Sequence, residues 1–181
     1  MSYDANPAYP AGPGAAIAGA TNPDDLSLPL YGAKFGQAVK RFFKKYATFS
    51  GRASRSEYWW VALFTFLLQL VPGILIGIGG AMLAGSAASV DPYDPYASSA
   101  AVDAASGPGS MIMIIGVVLG GLIGLAVLVP WLAVSWRRLH DANFPGPLFF
   151  LNLIPSVGSL IVLVLMLMPP KPEGQRFDVR A

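Results

Sequence analysis

The chain has 181 residues, of which 54% are hydrophobic and 12% charged, with a formal charge of +2 and no cysteine. Its mean hydropathy of +0.54 excludes an ordinary soluble domain. The missing cysteines exclude disulfides, thiolate metal sites, cysteine nucleophiles and lipid attachment through Cys. With a single histidine, a metal centre would need almost all-oxygen ligands, so neither metal nor cofactor is expected.

Residues 1–33 are rich in Ala, Pro, Gly and Asn and poor in large apolar side chains. Such a segment buries too little surface to offset its chain entropy, and a disordered cytoplasmic tail is expected. Its Tyr3, Tyr9 and Tyr31 read as ordinary tail residues. No basic segment followed by an apolar one marks a cleavable signal peptide.

From 34 to 47, Phe35, Val39, Phe42 and Tyr46 recur at helical spacing, with Lys40, Arg41, Lys44 and Lys45 on the other faces. This predicts an interfacial amphipathic helix, with its apolar stripe at the acyl boundary and its cations on anionic headgroups. The alternative is a helix packed on protein with a solvated basic face. Ser54-x-x-Glu57 then has capping-box spacing.

Residues 58–84 form the first predicted span, long enough for a hydrocarbon core of ~30 Å, with Trp59 and Trp60 at its mouth. Pro72 is placed to kink it. Gly73, Gly77, Ala81 and Gly85 fall every fourth residue, and Gly116, Gly120 and Gly124 repeat that spacing in the second span, 111–136. Small-residue stripes let helices approach closely, so the two stripes are expected to face each other or a second copy of the chain.

The intervening residues 85–110 carry Asp91, Asp94 and Asp103 and no Lys or Arg. The positive-inside rule makes them the external loop and leaves the N-terminus in the cytoplasm. Asp91 and Asp94 are spaced for weak calcium binding, but a floppy loop without further ligands is the simpler reading. Trp131 and Trp136 anchor the inner end of the second span, and Arg137-Arg138 returns the chain to the cytoplasm.

A third apolar run, 148–168, is interrupted by Pro155-Ser-Val-Gly158. Crossing straight would make three spans and an external C-terminus, whereas breaking at Pro155 would make a re-entrant hairpin. Three spans are expected, because non-helical backbone at membrane depth needs protein cover that a small chain scarcely supplies. The tail 178–181 follows a membrane domain of 34–177. The fold class is therefore an all-α polytopic membrane protein, with three transmembrane helices preceded by the amphipathic helix.

Arg52, Arg55, Glu57, Arg137, Arg138, His140 and Asp141 all fall at one predicted cytoplasmic interface. Guanidiniums and carboxylates in a layer of intermediate dielectric either pair or bind phosphate through bidentate contacts. The plain reading is an ion-pair network pinning the first helix to the second. A sharper one is a site for an anionic lipid or phosphorylated ligand. An enzymatic reading would make His140 a general base oriented by Asp141 or Glu57, but no nucleophile elbow or phosphate loop accompanies it. No catalytic residue is assigned. The deepest polar residues, Thr65 and Gln69, are thin support for a transport path.

Phe49-Ser50-Gly51-Arg52-x-x-Arg55-x-Glu57-Tyr58-Trp59, then Arg137-Arg138-Leu139-His140-Asp141, Ile154-Pro155-x-x-Gly158 and Gly174-Gln175-Arg176-Phe177, resemble the YhaH-type family of small bacterial inner-membrane proteins, a domain of unknown function. The likeness covers about 42–177. It implies a multi-helix protein of the cytoplasmic membrane with no established activity. The chain departs from the family pattern at Pro145-Gly146-Pro147-Leu148, where Ser-Gly followed by tryptophans is usual, at Gln175 for Asn, and at Asp178 for Gly. A non-enzymatic membrane component is expected, with anionic lipid, a membrane protein or a second copy as partner and no nucleic acid. The alternative is a subunit of a transport or export system.

Overall fold

The computed structural model describes residues 16–178, apart from scattered positions between 90 and 105. Tyr3, Tyr9, Asp94 and residues 179–181 lie outside the described residues, and with Asp94 the proposed calcium pair. Among the described residues all regular structure is helical: α1 (Phe35–Lys44), α2 (Arg55–Ala88), α3 (Pro108–Asp141), a 3-10 helix (Gly146–Leu153), α4 (Val157–Leu167) and a second 3-10 helix (Pro172–Phe177). This is a polytopic helical membrane protein, with two membrane-length helices and one shorter apolar helix.

Two compact units divide the chain, Met1–Leu63 with Val129–Ala181, and Phe64–Leu128. In the second unit, a Cβ on Gly79 would meet Gly109 and Met113, one on Gly116 would meet Leu75 and Ile76, and one on Gly120 would meet Pro72. Positions falling along α2 match positions rising along α3, so the pair is antiparallel. Gln69 Nε2 donates to the Gly120 carbonyl at 3.3 Å, so this deep amide serves the helix pair. A Cβ on Gly124 would lie 3.5 Å from the same amide. A Cβ on Gly73 or Gly77 would meet nothing within 4 Å. They do not face α3, and Gly79, off the predicted stripe, makes the close approach instead. Gly85 is equally open, and the α2 positions that meet α3 (Pro72, Leu75, Ile76, Gly79 and Met82) recur at the three-to-four-residue spacing of a 3.6-residue helix on a face the glycine stripe does not share.

The outward surface of this unit is apolar: Phe66, Leu67, Leu70, Val71 and Ile74 on α2 and Ile114, Ile115, Val118, Leu122 and Leu125 on α3 are all exposed. Water would penalise such a patch heavily, whereas acyl chains accept it. α2 spans 34 residues despite Pro72, and α3 spans 34 despite Pro130.

In the first unit, α1 buries Ala38, Arg41 and Phe42, with Lys45 on the same face. Of the predicted apolar stripe only Phe42 is fully buried, since Phe35 and Tyr46 are 39% and 40% exposed. α1 thus rests on protein through a face carrying two cations, and its Phe35 and Tyr46 side turns outward. Ser54 caps α2 as its spacing predicts: the Ser54 amide donates to Glu57 Oε2 at 2.8 Å and the Glu57 amide to Ser54 Oγ at 3.1 Å.

α3 ends in a Schellman motif. Asn143 takes the left-handed conformation (φ 65°), with Asn143 N donating to His140 O and Phe144 N to Leu139 O, and Pro145 follows.

The third apolar run, expected as one span over 148–168, is not one helix. It forms the first 3-10 helix, breaks at residues 154–156, where Ser156 has φ 64°, and resumes as the eleven-residue α4. Pro155 cannot continue a hydrogen-bonded helix, and Gly158 lets the chain fold back onto the Leu151 carbonyl. At 1.5 Å per residue α4 is only about 16 Å long, half a hydrocarbon core. The segment returns to where it started: Lys171 N donates to Asp141 O at 2.9 Å, and Arg138 Nε donates to Met166 O at 3.2 Å, near the C-terminal end of α4. Gly158, Val162 and Met166 give α4 its buried face, which supplies the protein cover that the expectation of a straight span had lacked.

Candidate functional site

The site is built on the first unit, where local sequence signals place its parts and distant segments complete it. The capping box leaves Glu57 at the start of α2 with one oxygen, Oε2, taken by the amides of Ser54 and Leu30 at 2.8 and 3.2 Å. The other, Oε1, accepts from Arg41 Nε at 2.5 Å, with both side chains under 5% exposed. Arg41 comes from the buried face of α1. Its remaining donors go to the backbone carbonyls of Pro23, Asp25 and Leu28.

Those carbonyls belong to a segment expected to be disordered. Residues 16–33 instead lie as a strap on the cations. Arg52 Nη2 donates to Ala18 O at 2.9 Å, Lys45 Nζ to Leu26 O at 2.7 Å, and Gln175 Nε2 to Ala16 O at 3.1 Å. Outside, Lys40 and Lys44 share Asp24 at 2.8 and 3.3 Å, and their hydrogen bonds hold its carboxyl below the usual range. Among the described residues, five buried cations, Arg41, Lys45, Arg52, Arg137 and Arg138, face three carboxylates, Glu57, Asp141 and Asp178. Backbone carbonyls solvate the surplus, so composition alone, with its low hydrophobicity over residues 1–33, misses the order of the strap.

Asp141 is the second centre. Its carboxylate, wholly buried, meets Arg138 Nη1 at 3.1 Å and Arg52 Nη1 at 3.5 Å and accepts from the Tyr31 hydroxyl at 2.6 Å. Burial and the adjacent carboxylate push the Tyr31 hydroxyl up, so it stays a protonated donor. Arg52 also forms a two-pronged pair with Asp178, Nε to Oδ1 and Nη2 to Oδ2, each at 2.8 Å. Asp178 thus completes the arginine's fork from the C-terminal segment. Arg138 Nη2 reaches Met168 O, and Arg137 Nε donates to Ala133 O at 3.1 Å one turn back.

His140 is held apart from both carboxylates. Its ring stacks on Phe177 at 4.0 Å with the planes 6° apart, and Nδ1 lies 3.0 Å from Gly51 O. The Arg176 guanidinium lies over the same Phe177 ring, 4.6 Å from its centroid. Gly174 must be glycine, because a Cβ would sit 2.5 Å from His140 O. The Gly174 to Phe177 motif therefore docks the C-terminal segment on the end of α3. The imidazole is oriented by the Gly51 carbonyl through Nδ1, where Asp141 or Glu57 had been expected.

The structure thus brings Arg52, Glu57, Arg137, Arg138, His140 and Asp141 into one buried layer and leaves Arg55 outside it, exposed. Arg41, Lys45, Tyr31, Asp178 and Phe177 join the layer, although the sequence placed none of them in it. A weak signal existed for two of them: Arg41 and Lys45 are four apart and share a helix face with Ala38. Nothing local pointed to Tyr31 or Asp178.

Burial, then repulsion from Arg137, pushes the Lys45 ammonium down to about 8 from its ordinary 10.5. Between these values the unfolded chain binds more protons than the folded one. This group's contribution is therefore present above 10.5 and lost as the pH falls through 8. Stability is expected to climb from pH 8 to 10.5 in the wild type and to climb less in Lys45→Met, as read by denaturant unfolding of both proteins across that window.

The model of the family described as "Protein of unknown function (DUF805)" matches residues 46–179. Inner membrane protein YhaH of Escherichia coli K12 is 31% identical over 137 residues, covering 76% of this chain and 89% of that protein. Inner membrane protein YhaI of the same strain is 30% identical over 121 residues, covering 67% and 75%. No solved structure matches.

Proposed function

The chain belongs to the DUF805 family of proteins of unknown function, and from that premise we propose a non-enzymatic component of the bacterial cytoplasmic membrane. It crosses twice, through α2 and α3, with both termini in the cytoplasm and a basic rim that meets anionic lipid or a membrane partner. A second copy is among these partners, since Gly73 and Gly77 are open on α2.

The observation that carries the reading is the division of the cations. Arg41, Lys45, Arg52, Arg137 and Arg138 are buried against carboxylates and carbonyls, where they hold the strap, the helix ends and the C-terminal segment together. Lys34, Lys40, Lys44 and Arg55 remain exposed, and among the described residues only Asp24 pairs with two of them. A layer that is already satisfied is architecture, and the outer set is what a ligand can reach. Relatives named inner membrane proteins support the location. The acidic stretch between α2 and α3, without Lys or Arg, supports the orientation. The fold-back of the third apolar run favours a C-terminus on the same side as the end of α3.

The absence of cysteine makes the test direct. Single-cysteine variants Asn22→Cys, Ser99→Cys and Ala181→Cys are treated with a membrane-impermeant maleimide in intact spheroplasts. Only Ser99→Cys is expected to label before permeabilisation. Labelling of Ala181→Cys from outside would overturn the two-crossing topology.

A further inference from the structure

On the first two turns of α2, Arg55, Ser56, Trp59, Trp60 and Leu63 line a shallow groove of about 280 Å³. These positions, spaced by one, three, one and three residues, form one helix face. Among the described residues Arg55 makes no ion pair, while Arg41, Arg52 and Arg138 are all paired. No carboxylate lines the groove. Both indoles are over a third exposed, yet each is fixed from behind: Trp60 edge-on to Phe35 at 5.8 Å, and Trp59 edge-on to Tyr58 at 5.4 Å. Leu63, 41% exposed, closes the far end with apolar surface.

We propose that this groove is a binding site for one anionic phospholipid, its phosphate on the Arg55 guanidinium, its glycerol against the two indoles and the start of an acyl chain on Leu63. The proposal rests on the reading above that the outer basic rim meets anionic lipid, and it names the place. The order of chemistry along the groove, cation, then amphipathic rings, then alkyl, is that of a lipid entering a membrane interface. Guanidinium suits phosphate through paired donors, and the free cation without a neighbouring acid favours an anionic over a zwitterionic headgroup. The volume lies just below the roughly 300 Å³ at which small-molecule pockets begin, which suits a headgroup and the first carbons of a chain. A soluble phosphorylated ligand would leave the Leu63 end empty.

The test uses the full-length protein in mixed micelles of phosphatidylglycerol and phosphatidylcholine at equal amounts. Native mass spectrometry reads the ratio of the two lipids retained, and brominated versions of each read quenching of the tryptophans. Wild type is expected to retain phosphatidylglycerol preferentially and to be quenched more by its brominated form. Removing one interfacial cation in Arg55→Gln should cut the preference about fivefold and equalise the quenching. Arg55→Lys should keep most of the preference. Lys40→Gln/Lys44→Gln should leave it nearly intact. An unchanged ratio in Arg55→Gln with loss in the double lysine variant would overturn the groove while sparing the wider reading. No preference in the wild type would overturn both. Because Arg55 is exposed and outside the buried layer, its replacement does not threaten the fold.

Discussion

Glu57→Ala is expected to destabilise the detergent-solubilised protein by about 3–5 kcal/mol, the range for breaking a buried ion pair by removing one partner. The carboxylate serves three donors at once: Arg41 Nε at 2.5 Å, the Ser54 amide at 2.8 Å and the Leu30 amide at 3.2 Å. Truncation strands a guanidinium that is 2% exposed and leaves two amides without an acceptor. Two further variants separate these causes. Glu57→Gln keeps an acceptor for the amides and loses the charge, so it should recover part of the loss. Arg41→Met/Glu57→Gln removes both charges, and its cost should fall short of the sum of the single costs by at least about 1 kcal/mol, the coupling expected of residues in contact. The readout is reversible denaturant unfolding followed by tryptophan fluorescence. A Glu57→Ala protein within 1 kcal/mol of wild type, on the order of a surface change, would mean that the pair is solvated and the layer is not closed.

Gly158→Ala is expected to cost about 3 kcal/mol, the upper end for inserting a methyl group into packed structure, because of what the methyl meets. Its Cβ would fall on the Leu151 carbonyl oxygen, with Ile154 Cβ at 3.0 Å. A side-chain neighbour can rotate away, but a backbone carbonyl moves only with its helix. The substitution must therefore open the turn between the 3-10 helix and α4, carrying α4 from the position where its Met166 carbonyl receives Arg138. Gly121→Ala is the matched control, since a Cβ there would meet nothing within 4 Å, and helix propensity alone should stabilise it by about 0.5–1 kcal/mol. Thermal unfolding of the two variants side by side checks the pair. Equal midpoints would contradict the fold-back of the third apolar run.

Several features were legible in the sequence because their causes are local. The long apolar runs, the aromatic mouth at Trp59 and Trp60, the Ser54-x-x-Glu57 cap and the Asn-Phe-Pro stop after Asp141 involve partners within one or two helical turns. A residue's neighbours at that range follow from spacing alone. The same locality explains why Arg52, Glu57, Arg138 and Asp141 could be grouped: each lies at an end of an apolar run, and the ends of two membrane-length helices have few places to go.

What only the tertiary structure decided is how those charges are shared. Arg52 meets Asp178 across 126 residues and Tyr31 meets Asp141 across 110, distances at which sequence spacing carries no information. The strap acts through the carbonyls of Ala18, Pro23, Asp25, Leu26 and Leu28, and every residue owns a carbonyl, so no side-chain pattern announces the role. By itself the sequence determined that this is a helical membrane protein with a charged layer at the ends of its spans. Folding decided that most of that layer is sealed, leaving Arg55 and the outer lysines to face outward, because buried cations must find oxygen somewhere and the nearest oxygen came from segments that hydropathy alone had set aside.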